Sequence, residues 1–113
     1  MSRHLEKDVM PRYLVKCEEF YIVWSTIVDA PVVICNSKKE ILDYWKEKYG
    51  SEGLKELLVF QGKDLSKVPE LDDETVSGNR AGRNESELTK DEIYRVYCLG
   101  EKIDGWSPFK KQI

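Results

Sequence analysis

The chain of 113 residues contains a single histidine, His4, which lies close to its start. Histidine is the side chain best suited to acid–base catalysis near neutral pH, to the activation of serine or cysteine nucleophiles and to zinc binding. The sequence therefore argues against these three chemistries. The glycines also lack the spacing of a phosphate-binding loop, because Gly78 and Gly82 lie in a polar stretch without a strand before it and a helix after it.

The cysteines, Cys17, Cys35 and Cys98, are odd in number and form no C-x-x-C pair. A disulfide framework is therefore not expected, and reduced thiols that behave as small apolar groups are the favoured interpretation. The longest uncharged stretches, 20–28 and 30–37, are shorter than the roughly 20 apolar residues of a membrane-spanning helix. No apolar run follows the basic residues of the N-terminus, as it would in a secretory signal. We therefore expect a cytoplasmic protein with no membrane contact.

One pattern is compatible with catalysis. The apolar run 57–60, followed by Gln61, Gly62 and Lys63, resembles the strand-borne (Asp/Glu/Gln)-x-Lys element of the restriction-endonuclease-like nucleases, with Asp29 as its upstream acidic partner. In that family carboxylates hold a divalent metal and the lysine helps to activate water. The resemblance covers three positions and one distant aspartate. It implies a small Mg²⁺-dependent nuclease, whereas the other interpretations predict neither a metal nor any other cofactor.

The charges suggest a different kind of activity. Residues 64–92 carry nine acidic and four basic side chains, within a chain whose net charge is −3. Complementary charge steers protein association, so we expect a protein partner with a basic surface. Direct binding of nucleic acid is not expected at a pI near 5.3. The candidate partner-binding residues are Asp72, Asp73, Glu74, Arg80, Arg83, Trp106 and Phe109.

Two further alternatives remain open at this point. A small ligand or nucleotide would find a pocket between sheet and helix near Trp24, Tyr44 and Trp45. A chain of this size is also large enough to be half of a homodimer.

The elements that must position these residues follow from composition and spacing. Stretches 12–17, 20–28, 32–35 and 57–60 are rich in β-branched, aromatic and other apolar residues and are predicted strands. Glu18 and Glu19 are the only residues available for the turn between the first two strands. A capping box at Ser37 and Glu40 predicts a helix over 37–49, which Gly50 ends.

A second capping box, at Thr89 and Glu92, predicts a helix over 90–104, with a strand as the alternative because Ile-Tyr-Arg-Val-Tyr-Cys-Leu is β-prone. Residues 1–10 are predicted to be a flexible extension and 11–113 a single domain. Within that domain 64–88 is a long acidic loop, of which 77–84 is expected to be exposed.

The predicted fold class is α+β, with a small, mostly antiparallel sheet packed on one main helix, a long acidic loop and a C-terminal helix or strand. Because catalytic side chains are scarce while aromatic residues are frequent, we expect a non-catalytic intracellular binding or inhibitor module. The chain looks like the small accessory proteins with which phages and mobile elements block host factors such as defence nucleases. The nuclease and the ligand-binding protein remain the alternatives.

Overall fold

A computed structural model of the chain describes residues 12–108, and the predictions made for 1–10 lie outside these residues. From its N-terminal end, the described chain forms β1 (Arg12–Cys17), β2 (Phe20–Ser25), β3 (Ala30–Cys35), α1 (Lys38–Gln61), α2 (Asp73–Val76), a 3₁₀ turn (Arg83–Glu85), α3 (Lys90–Ile93) and a π-helical turn (Tyr94–Cys98). The π-helical turn continues α3 directly, and the two together are called the C-terminal helix below.

The three strands form one antiparallel sheet in the order β1-β2-β3. Cys17 pairs with Phe20, so Glu18 and Glu19 alone form the β1–β2 turn, as predicted. Glu18 has a φ of 54°, in the left-handed region that favours glycine. A bulge between Val23 and Trp24 shifts the pairing of β2 with β3. The second strand ends at Ser25, three residues before its predicted end.

Both faces of the sheet are buried. Successive side chains of a strand point to opposite faces, and here both sets are apolar, which explains the unbroken hydrophobic runs in β1 and β2. The helix-side core combines strand residues Leu14, Tyr21, Val23 and Cys35 with Ile41, Trp45, Leu57, Leu65 and Val68. The segment-side core combines Val15, Cys17, Ile22, Trp24 and Ala30 with Leu71, Val76, Ala81, Leu88 and Ile93.

Helix α1 covers the first face. Ser37 caps it as predicted, with its hydroxyl accepting a hydrogen bond from the Glu40 amide at 3.1 Å. The Glu40 carboxylate accepts from the amide of Asn36 at 2.9 Å, one residue before the expected Ser37. Gly50 does not end the helix but kinks it, since its φ of 79° and ψ of 178° are non-helical.

The strand predicted over 57–60 is wrong, because these residues belong to the second half of α1. Leu54, Leu57 and Leu58 have the i, i+3, i+4 spacing of one helix face, and all three pack in the helix-side core. Val59 and Phe60 face outward and are 71% and 44% exposed. A short apolar run fits a strand and a helix equally well, and here the tertiary contacts decide between them.

The acidic segment, residues 62–89, covers much of the second face. Lys16 of β1 donates its amide to the carbonyl of Pro69 at 2.8 Å and accepts from the amide of Leu71 at 2.7 Å. This parallel bridge between Lys16 and Glu70 attaches the segment to the outer edge of β1. Leu71, Val76, Ala81 and Leu88 then reach the segment-side core.

Asn79 organises the middle of the acidic segment, and it is only 3% exposed. Its amide nitrogen donates to the carbonyls of Val76 and Leu88 at 2.6 and 2.7 Å. Its amide oxygen accepts from the amides of Ala81 and Leu88, each at 3.0 Å. The exposed loop predicted over 77–84 is thus only partly exposed, because one buried side chain satisfies four backbone groups that would otherwise need water.

The C-terminal helix confirms the preference for helix over strand in this region. Thr89 and Glu92 form the predicted capping box, with hydrogen bonds of 2.8 and 3.1 Å. The helix ends at Cys98 rather than near 104. The Tyr97 hydroxyl donates to the carbonyl of Ala81 at 2.7 Å and so fastens this helix to the acidic segment.

The predicted fold class is confirmed: a three-stranded antiparallel sheet, one long helix and a short C-terminal helix form a small α+β structure. Among residues 12–108 no helix is both long enough and apolar enough to cross a membrane.

Replacing Asn79 by alanine is expected to lower the free energy of unfolding by about 2–4 kcal/mol, because it leaves several buried backbone groups without partners. Urea denaturation followed by circular dichroism measures the effect. Asn36→Ala is the matched control at an exposed position, and it should change stability by less than about 0.5 kcal/mol. Equal stabilities of the two variants would contradict the organising role of Asn79.

Candidate functional site

Two separate parts of the chain bring their carboxylates to one end of the sheet. Glu18 and Glu19 occupy the β1–β2 turn directly after Cys17. The bridge to Lys16 brings Glu70 to the same end of β1, and the charges of both Glu18 and Glu70 act on Cys17. Asp72, Asp73 and Glu74 follow at the start of α2. The six side chains Glu18, Glu19, Glu70, Asp72, Asp73 and Glu74 are called the acidic surface below.

Every residue of the acidic surface is exposed. None of the six carboxylates forms a salt bridge with another residue in the range 12–108. Lys90 is the cation whose charge acts on both Cys17 and Asp72. Six carboxylates against this cation give the surface a strong local negative potential, although the whole chain is nearly balanced.

An aromatic pair lies beside the acidic surface. The rings of Phe20 and Tyr94 meet edge to face, with centroids 6.1 Å apart and an angle of 70° between their planes. Both side chains are partly exposed. Desolvation raises the pKa of Tyr94, and the neighbouring carboxylates of Glu19 and Glu18 raise it further. The carboxylates of the β1–β2 turn therefore lie close enough to this pair to act on it.

Asp72 differs in role from the two residues that follow it. Its carboxylate accepts a hydrogen bond from the Thr75 amide at 2.8 Å and caps α2. Hydrogen bonds from Thr75 lower the pKa of Asp72. Asp73 and Glu74 lie in the exposed first turn of α2, where negative charge is favourable. Asp72 thus supports the local structure, while Asp73 and Glu74 present charge to the solvent.

The two arginines named as partner-binding candidates also differ. Arg80 holds the β2–β3 turn, since it contacts the Asp29 carboxylate at 3.4 Å and donates to the carbonyl of Ile27 at 3.0 Å. It also lies 3.6 Å from the carboxylate of Glu85. Arg83 is exposed at the start of the 3₁₀ turn. Of the two, Arg80 therefore has a structural use.

The residues of the nuclease pattern have other surroundings than a strand-borne metal site. Gln61 is the last residue of α1, and Lys63 is exposed just beyond it. Asp29 pairs with Arg80 instead. Within the described part of the chain, no group of three or more His, Cys, Asp or Glu side chains is placed to hold a metal ion.

The aromatic residues named for a ligand pocket are not brought together. Trp24 lies in the segment-side core, while Trp45 and Tyr44 belong to the helix side, so the sheet separates them. Trp24 and Trp45 are each only 2% exposed. Trp106 is half-buried in a short turn and exchanges backbone hydrogen bonds with Ile103. Phe109 lies outside the described residues.

Half of the acidic surface, Glu18, Glu19 and Glu70, is absent from the residues predicted to bind a partner. The juxtaposition of these three depends on the pairing between Lys16 and Glu70, which joins positions 54 residues apart in the chain. One local signal was present: two adjacent glutamates occupy a tight turn where glycine, asparagine or aspartate is usual. Charged side chains in place of good turn formers are compatible with a use other than chain reversal.

No family model, no curated protein and no solved structure matches this chain.

The cap at Asp72 leads to a pH-dependent prediction. Because the folded-state pKa is lowered, the carboxylate adds stability above its unfolded pKa and loses this contribution as the pH falls through the folded value. Asp72→Asn retains a capping side chain but has no charge to titrate. The stability difference between the two proteins should therefore be largest near neutral pH and shrink between about pH 5 and pH 2. Urea midpoints across this range measure it, and parallel curves would contradict the prediction.

Proposed function

We propose that this protein is a non-catalytic binding module that uses the acidic surface to hold a protein partner with a basic surface. The observation that carries the proposal is the bridge between Lys16 and Glu70. It fixes the start of α2 beside the β1–β2 turn, so carboxylates from two distant parts of the chain form one surface. A rigid set of charges binds with a smaller loss of conformational entropy than the same charges on a free loop.

The composition of this region supports a protein partner. Interfaces commonly combine a central aromatic contact area with a polar rim. Phe20 and Tyr94 provide partly exposed aromatic rings, and the carboxylates of Glu18 and Glu19 lie next to them. Arginine and lysine side chains of a partner would find carboxylates for ion pairs and ring faces for cation–π contacts.

The backbone of Glu18 supports the same proposal. A left-handed conformation is unfavourable for a residue with a long side chain, and asparagine or glycine would adopt it more easily. Strained positions of this kind cluster at functional sites. A glutamate that is retained at such a position favours a role for its carboxylate in binding.

The partner class that this chemistry fits best is a protein that binds nucleic acid through a basic groove. The carboxylates would occupy phosphate-binding positions and compete with the nucleic acid. An inhibitor of the phage or mobile-element type, directed against a defence nuclease, is one such protein. In this proposal the inhibition is stoichiometric and needs neither a metal nor a catalytic residue.

Reversing the charge of Asp73 and Glu74 tests the proposal. Asp73→Lys/Glu74→Lys leaves the cap residue Asp72 in place and should weaken capture of the partner by tenfold or more, on the order of that expected when charge repulsion replaces attraction. The matched control is Glu52→Lys/Glu56→Lys, which changes the net charge equally on exposed positions of α1, the helix that covers the other face of the sheet. Affinity capture followed by mass spectrometry at low and high salt measures both.

Duplex DNA added to the capture step separates the partner classes. It should release a partner that binds through a basic groove and should leave other captured proteins bound. Equal loss of capture in both double variants would indicate a general charge effect and would contradict the assignment to the acidic surface. Glu18→Asn provides a second test, since it should relax the turn while weakening capture.

A further inference from the structure

Two of the three cysteines meet in the segment-side core. Cys17 ends β1 and is 7% exposed, and Cys98 of the C-terminal helix packs against the same core. The two thiols are within hydrogen-bonding reach of each other. Both are reduced. Positions 81 residues apart in the sequence thus place two sulfur atoms in contact.

The surrounding packing holds the two thiols together. The ring contact between Phe20 and Tyr94 joins the β1–β2 turn to the first residue of the π-helical turn, close to Cys17 on one side and to Cys98 on the other. The hydrogen bond between the Tyr97 hydroxyl and Ala81 fixes the residue directly before Cys98. Cys98 is only partly buried, so a small reagent has access to the pair from the side of the C-terminal helix.

We propose that Cys17 and Cys98 form an oxidative modification site, at which a small-molecule disulfide such as oxidised glutathione converts the two thiols into an intramolecular disulfide. The proposal does not depend on the binding function proposed above. It concerns a pair of nucleophilic groups that the acidic surface does not use.

The reaction is two successive thiol–disulfide exchanges. One thiolate of the pair attacks a sulfur atom of oxidised glutathione, which forms a mixed disulfide and releases one glutathione thiolate. The second protein thiolate then attacks the protein sulfur of the mixed disulfide and releases the second glutathione thiolate. The protein loses two electrons and two protons, and two molecules of reduced glutathione are formed.

The electrostatic surroundings support this chemistry. The hydrogen bond with Cys98 lowers the pKa of Cys17, which favours the thiolate that the exchange requires. Cys35 has no such neighbour and lies in the helix-side core, on the other face of the sheet. Burial raises the pKa of the Cys35 thiol to about 11. The chain therefore contains its own unreactive control.

The test treats the full-length folded protein with oxidised glutathione, blocks the remaining thiols by alkylation and maps the cysteines by mass spectrometry. The expected product is monomeric, has lost two hydrogen atoms, contains a peptide pair that links Cys17 to Cys98, and leaves Cys35 free for alkylation after unfolding. Cys35→Ser should give the same link. Cys98→Ser, at a partly exposed position that folding should tolerate, should give no intramolecular link.

Three outcomes would overturn the proposal: a stable glutathione adduct without the internal link, a link that involves Cys35, or a thiol pair that does not react while the protein remains folded. Thermal unfolding provides a second readout. Because the link closes a long loop of the unfolded chain, oxidation should raise the melting temperature on the order of 10 °C, and reduction with dithiothreitol should reverse the shift. The Cys98→Ser protein should show no shift.

Discussion

The constraint on which this structure depends is that a three-stranded sheet with two apolar faces must be covered on both sides. Buried polar backbone and exposed apolar faces are both unfavourable, so a sheet of this kind is stable only between two layers. The chain provides one long helix, α1, and this helix covers a single face. The acidic segment and the C-terminal helix must therefore cover the other, although the segment has little regular structure of its own.

This constraint explains how a polar and acidic segment becomes part of a core. Its few apolar residues are spaced so that each reaches the sheet, while the residues between them remain in water. Without a regular helix or strand, the backbone groups of the segment need other partners. Lys16 supplies two hydrogen bonds at the edge of β1, and the Asn79 side chain satisfies four more groups. The same anchoring fixes the position of the exposed carboxylates.

The elements that local chemistry determines were predictable from the sequence. The Ser37 and Thr89 caps located the starts of two helices, because capping depends on residues three apart in the chain. The run 57–60 was misassigned because its four apolar residues have no distinctive period, and only packing against the sheet shows that they are helical. The sides of the sheet on which Trp24 and Trp45 lie depend on strand register. The union of Glu18 with Glu70 depends on a bridge between distant positions, and neither follows from local sequence.

The acidic residues of this chain divide into two groups according to what their oxygen atoms contact. Glu40, Asp72 and Glu92 accept hydrogen bonds from backbone amides at helix starts, and Asp29 pairs with Arg80, so these carboxylates stabilise the fold. Glu18, Glu19, Glu70, Asp73 and Glu74 remain exposed, without a salt bridge to any residue of the described range. Like charges held close together repel, and Glu18 adds backbone strain. Since neither feature benefits the isolated chain, the arrangement is best explained by a basic partner that neutralises it.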